Sequence, residues 1–115
     1  MVESQYSTMN IDQLPSAFFI IGQHDDQSAQ VSPLYFDLPG GDIAVPVWSS
    51  KARAYSWLEQ TFMRAQYDIV EVFSKEFLPN LIGTRCSCLL FDPLAEEKSF
   101  APERVVNIPQ PPSIQ

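Results

Sequence analysis

Apolar residues fall in short blocks along the chain, and the spacing inside each block differs. In residues 16–23 (Ser-Ala-Phe-Phe-Ile-Ile-Gly-Gln), four large apolar side chains follow one another without a polar break. Strand side chains alternate between two faces, so this run predicts a strand covered on both sides and closed by Gly22. Residues 24–32 are polar and hold no glycine, which predicts a loop. A second strand is expected over 33–38, with Pro33 at its first position, where a missing N–H is tolerated. Pro39-Gly40-Gly41-Asp42 joins a fixed φ to two residues free to take positive φ, so it predicts a hairpin that pairs this strand with a third over 42–49. In the third strand Ile43, Val45 and Val47 face one way and Ala44, Pro46 and Trp48 the other. Pro46 cannot donate to a ladder, which places it at a sheet edge or a bulge.

The spacing then changes from two to about 3.6. Ser49 or Ser50 is a helix N-cap, and a helix is expected over 51–65 with Tyr55, Leu58, Phe62 and Ala65 as its core-facing stripe, widened by Trp57 and Met63. Residues 67–73 return to alternation, Ile69 and Glu71 against Val70 and Val72, the pattern of a strand with one face partly wet. Ser74 can cap a short helix ending at Gly83, with Pro79 as a kink or a late start. Residues 84–93 read as the last core strand, with Cys86, Cys88 and Leu90 on one face and Leu89 and Phe91 on the other, stopped by Asp92-Pro93. The predicted order is β-β-β-α-β-α-β. This is an α+β domain with a single mixed or antiparallel sheet and both helices on one face, spanning 16–93. Residues 1–15 form an irregular arm and 94–115 a Pro-rich, mobile tail of local polyproline character.

Composition agrees with one folded domain. The chain has 115 residues, 45% of them hydrophobic, with eight Phe, four Tyr and two Trp. A chain of this size buries roughly 65% of the surface exposed when unfolded. The formal charge is −7, and the seven basic residues are scattered, so neither nucleic acid nor an anionic membrane surface is an expected partner. No apolar run approaches the ~20 residues needed to span a bilayer, and the N-terminus lacks a signal-peptide pattern, so a cytoplasmic location is expected.

Candidate chemistry is sparse. His24 is the only histidine, and His24, Asp25 and Asp26 are consecutive on a loop with no second ligand cluster, which does not build a metal site. Nothing in the pattern brings Ser49, Ser50 or Cys86 to His24 for nucleophilic catalysis. Cys86 and Cys88, on one face of a strand, stand about 7 Å apart along it, too far for an unstrained disulfide, and read as small core residues. Pro39-Gly40-Gly41-Asp42 lacks the lysine and following helix of a phosphate loop. No catalytic residue, metal or cofactor is therefore expected. Asp25, Asp26, Asp37 and Asp42 form an acidic rim that is either solvated or turned to a basic partner. Pro109 and Pro112 give a minimal P-x-x-P spacing without an adjacent basic residue. Trp48 and Trp57 read either as core or as an aromatic docking groove beside Pro46.

Three stretches carry a family resemblance: Ile-Ala-Val-Pro-Val-Trp-Ser-Ser-Lys from residue 43, Tyr-Asp-Ile-Val-Glu-Val-Phe-Ser from residue 67, and Cys-Ser-Cys-Leu-Leu-Phe-Asp-Pro from residue 86. Together they resemble the SseB-type (enhanced serine sensitivity) N-terminal domain over residues 16–93. In that family a hydrophobic strand end leads into a helix with an aromatic and a leucine, then a strand, a short helix and a closing strand. Val45-Pro46-Val47-Trp48-Ser49-Ser50, Trp57-Leu58 and Asp92-Pro93 stand at those positions, with Trp48 for Phe, Ser49 for Thr and Asp92 for Asn. The resemblance implies an accessory or regulatory domain that works on protein partners and has no catalytic residues. The reading is a non-enzymatic protein-interaction or regulatory domain, with Trp48, Pro46, Trp57, Asp37 and Asp42 as candidate partner-binding residues and a homodimer through a sheet edge as one assembly. The alternative is an acidic inhibitor or immunity-type protein that occupies a basic or nucleic-acid-binding site on its target.

Overall fold

The computed structural model describes residues 7–24, 31–61, 67–82, 84–96, 99–101 and 104–109. Along the chain the strands are β1 (Ser7–Met9), β2 (Ala17–His24), β3 (Val31–Pro33), β4 (Phe36–Asp37), β5 (Ile43–Val47), β6 (Asp68–Phe73), β7 (Cys86–Phe91), β8 (Leu94–Glu96), β9 (Ser99–Ala101) and β10 (Arg104–Asn107). The helices are α1 (Lys51–Gln60), between β5 and β6, and α2 (Ser74–Leu81), between β6 and β7. The α+β class is as expected, but the single sheet is not. The strands divide into a five-stranded sheet ordered β1-β10-β7-β5-β4, a three-stranded sheet ordered β3-β2-β6, and the β8-β9 hairpin.

Pro46 explains where the expected sheet breaks. Val47 accepts from the Asp92 N–H on the β7 side, so by strand alternation Ala44, Pro46 and Trp48 present their backbone groups to the opposite edge of β5. There β4 pairs Phe36 with Ala44 and then ends. Trp48 instead exchanges two 2.8 Å hydrogen bonds with Phe19 of β2. Pro46 lies between the two, at the position where no donor is needed because one partner strand has stopped and the next has not begun. The stretch expected as one strand over 33–38 is divided the same way. Val31 and Ser32, expected in a loop, join Pro33, expected as the first residue of that strand, in pairing with β2, while Phe36–Asp37 pairs with β5. Gly22 does not close its strand; it sits inside β2, opposite Asp68 and Pro33.

β2 is buried on both faces, as its apolar run predicts. Phe18 and Ile20 belong to a core with Val45, Val47, Leu89, Phe91 and Val106 of the five-stranded sheet, closed by Phe77, Leu78 and Leu81 of α2. Ile21 and Phe19 face a second core with Trp48 and with Ala54, Trp57 and Leu58 of α1. The two helices therefore serve different cores rather than one face. The buried face of α1 is also turned from the expected stripe: Ala54, Trp57 and Leu58 are buried and Tyr55 is 43% exposed, while Phe62 and Ala65 lie outside the described residues. Trp57 sets this rotation, because its ring is the largest apolar surface on the helix and meets Trp48 at 5.5 Å and Phe36 at 6.2 Å, the latter edge to face.

A bulge corrects the alternation expected along β7. Its pairing with β5 steps from Ile43↔Cys86 to Ala44↔Cys88, leaving Ser87 as an extra residue. Cys86 therefore shares the first core with Leu89 and Phe91, while Cys88 is half-buried on the other face. Ser74 is the first residue of α2 and not its cap; its N–H donates 2.9 Å to the Ser16 carbonyl, and Pro79 lies inside the helix. Gly83 is outside the described residues. Parts of the expected arm and tail are also ordered: β10 lies between β7 and β1, and Val106 and Ile108 are buried.

Candidate functional site

β5 and β7 run parallel, so their C-terminal ends come together, Val47 opposite Phe91. In parallel sheets the space beyond such ends is where ligands bind. Here the chain fills it. Asp92 is 4% exposed and takes a φ of 52°, a left-handed conformation that Asp tolerates better than most residues. That turn aims its carboxylate at the start of α1. Oδ1 accepts from the Ser49 N–H and Oδ2 from the Ser49 hydroxyl, both at 2.8 Å, and the Arg53 guanidinium lies 3.6 Å from Oδ2. The Trp48 indole N–H donates 3.1 Å to the Pro93 carbonyl. Ser50 is the helix cap, its hydroxyl accepting from the Arg53 N–H at 3.2 Å. The Asp92 carboxylate, the Ser49 hydroxyl and the Trp48 indole N–H are thus each bonded to another group of the same chain.

Of the residues singled out in the sequence, Trp48, Pro46 and Trp57 are core residues, and none of the three offers an exposed aromatic groove. Asp37 and Asp42 are exposed at the two ends of the Pro39–Gly41 turn. Asp25, Asp26 and Pro112 lie outside the described residues. His24 ends β2 opposite Val31. Among the described residues no three His, Cys, Asp or Glu side chains are grouped as metal ligands, and no buried side-chain nitrogen or oxygen lacks a hydrogen bond. Burial pushes the Cys86 thiol above its ordinary 9.0, partly offset by a hydrogen bond with the Cys88 backbone. Burial raises Cys88 as well, with the Asp42 charge adding to the shift against a hydrogen bond from Ser87. Both stay protonated at neutral pH, the opposite of an activated nucleophile.

The surface that the sequence did not single out is the outer edge of β6. Phe19 and Ile21 of β2 direct their backbone groups to Trp48 and Leu34, so Phe18, Ile20 and Gly22 are the residues that bond β6, through Val72, Val70 and Asp68. Ile69 and Glu71 then turn N–H and C=O away from the sheet, and Phe73 its N–H, toward no strand among the described residues. Alongside runs an open groove of about 340 Å³ between β6 and α2, lined by Glu71, Val72, Phe73, Glu76, Phe77 and Asn80. Phe73 is 51% exposed, and Phe77 is anchored edge-on against Phe18 at 5.7 Å. The readable signal was an aromatic placed at the strand end of an alternating run, directly before a helix.

Compared with protein-family models, curated proteins and solved structures, the chain has no match. No helix among the described residues is long and apolar enough to cross a membrane.

Proposed function

We propose that this chain is a non-enzymatic protein-interaction domain of regulatory or accessory type that takes an extended segment of its partner onto the β6 edge. The carrying observation is that edge: the alternate positions Ile69, Glu71 and Phe73 turn outward, beside a groove lined by aromatic and acidic side chains, with Phe73 exposed. An unpaired edge of this kind is a template for strand addition, in which backbone hydrogen bonds supply affinity and side-chain pockets supply choice. The resemblance to SseB-type domains over residues 16–93 supports the same reading.

The test uses the direction of the Glu71 N–H. Because that group bonds nothing in β2, Glu71→Pro leaves the fold's own ladder intact and removes a donor that a docked strand requires together with one carboxylate, and Glu71→Gln, which drops the charge and keeps the donor, is its control. A photo-reactive residue at Phe73 of the full chain should capture a partner protein in native lysate, the adduct should vanish in the Glu71→Pro background at unchanged melting temperature, and the same probe at exposed Tyr55 should not form it. An adduct indifferent to Glu71→Pro, or none at all, rules the reading out.

A further inference from the structure

The groove beside β6 is chemically one-sided. Its polar groups are the exposed carboxylates of Glu71 and Glu76 and the side-chain amide of Asn80, whose nitrogen already donates 3.0 Å to the Glu76 carbonyl, leaving its oxygen as an acceptor. Val72, Phe73 and Phe77 make up the rest of the wall. Among the described residues no lysine or arginine lines it; the nearest cation along the helix, Lys75, borders a different groove with Ile11, Asp12 and Leu14. The site offers acceptors, negative charge and apolar rings.

Resting on the reading of the chain as an interaction module, we infer that the occupant is an extended protein segment in which bulky apolar residues alternate with lysine or arginine. Alternation follows from strand pairing, since every second side chain of an added strand points to the same side. The basic residues follow from the lining and from the net charge of −7, which together favour a cationic partner in both encounter and docking. The same charges disfavour a second copy of this chain. A two-fold pairing of two β6 edges sets the outward residues of one copy against the same set in the other, bringing the two Glu71 carboxylates close together, and like charges across a ladder are destabilising.

The experiment titrates the ¹⁵N-labelled full chain with two end-capped hexapeptides, one alternating Lys and Val and the other alternating Glu and Val. The Lys-Val peptide should shift the amides of Ile69, Glu71, Phe73 and Phe77, bind at least about tenfold more tightly than the Glu-Val peptide, and weaken as salt is raised. In the Glu71→Gln/Glu76→Gln variant, both sites exposed and outside the core, the preference should shrink to about twofold. Equal binding of the two peptides at these amides overturns the basic occupant and leaves edge docking standing. Concentration-dependent broadening of the same amides without peptide overturns it in favour of a second copy. Absence of shifts at millimolar Lys-Val peptide overturns it as well, whereas the interaction reading falls only if the Phe73 adduct fails to form or ignores Glu71→Pro.

Discussion

At the residue scale the demanding position is Asp92, a carboxylate with almost no exposure, held in a left-handed turn. Removing its carboxylate takes both acceptors from the Ser49 N–H and hydroxyl, and also takes away the short polar side chain that lets Asp, unlike Ala, adopt a left-handed turn readily. Asp92→Ala should therefore lose about 3 kcal/mol of unfolding free energy in urea, with the denaturant slope unchanged. Asp92→Asn keeps an acceptor and tolerates the turn, and should lose only about 1 kcal/mol. If the two variants are equally stable, the junction does not hold the strand ends together. Arg53, half-exposed, adds little to this junction because solvent screens it. In the sequence Asp92-Pro93 was legible as a strand stop and the Ser pair as a cap, but the bond between them was not. It joins residues 43 apart, and no local pattern encodes a contact of that range.

The two cysteines, Cys86 buried and Cys88 half-buried, give a second expectation at this scale. Their folded pKa values lie above the ordinary 9.0, so the unfolded chain releases these protons at lower pH than the native one. Stability from this source is full below about pH 9 and falls as pH rises through the higher folded values. The alkaline limb of a stability–pH curve should flatten in a Cys86→Ala/Cys88→Ala variant, and a limb unchanged from the parent would refute the assignment.

At the element scale, local patterns were read well where the ladder is regular and poorly where it is not. β2, β5 and β6 follow their alternation; β7 does not, because Ser87 adds one residue and shifts every later side chain to the other face. Periodicity predicted one stripe for α1, through Tyr55 and Leu58, and the buried face is turned toward Trp57 because Trp48 and Phe36 meet it in the second core. Trp57→Ala should cost about 3–5 kcal/mol, as for other buried aromatic truncations. Tyr55→Ala, on the face expected to be buried, should stay within about 0.5 kcal/mol of the parent. Chemical denaturation of the pair separates the two faces, and a larger loss for Tyr55→Ala would restore the stripe drawn from the sequence.

At the scale of the whole molecule the largest departure from the sequence picture is the C-terminal segment. Arg104–Asn107 is short, holds two valines between an arginine and an asparagine and lies among prolines, yet only Val106 and Ile108 need to be apolar for the segment to be a strand with one face in the core. A pattern of two apolar residues is below what periodicity can detect. β10 sits between β7 and β1, antiparallel to one and parallel to the other, and the Ile108 N–H continues the ladder by donating 3.0 Å to the Ser87 carbonyl. Stopping the chain after Glu103 therefore removes two buried side chains worth roughly 2 kcal/mol each, strips β1 of its only partner strand among the described residues and opens β7 along its length. Set against a total stability of about 5–15 kcal/mol, that loss should abolish cooperative thermal unfolding. Val106→Ala, which leaves the ladder in place, should cost about 1–3 kcal/mol and keep a single transition. A truncated chain that melts as sharply and as late as the full one would mean that the first core closes without β10, as the mobile tail expected from the sequence implies.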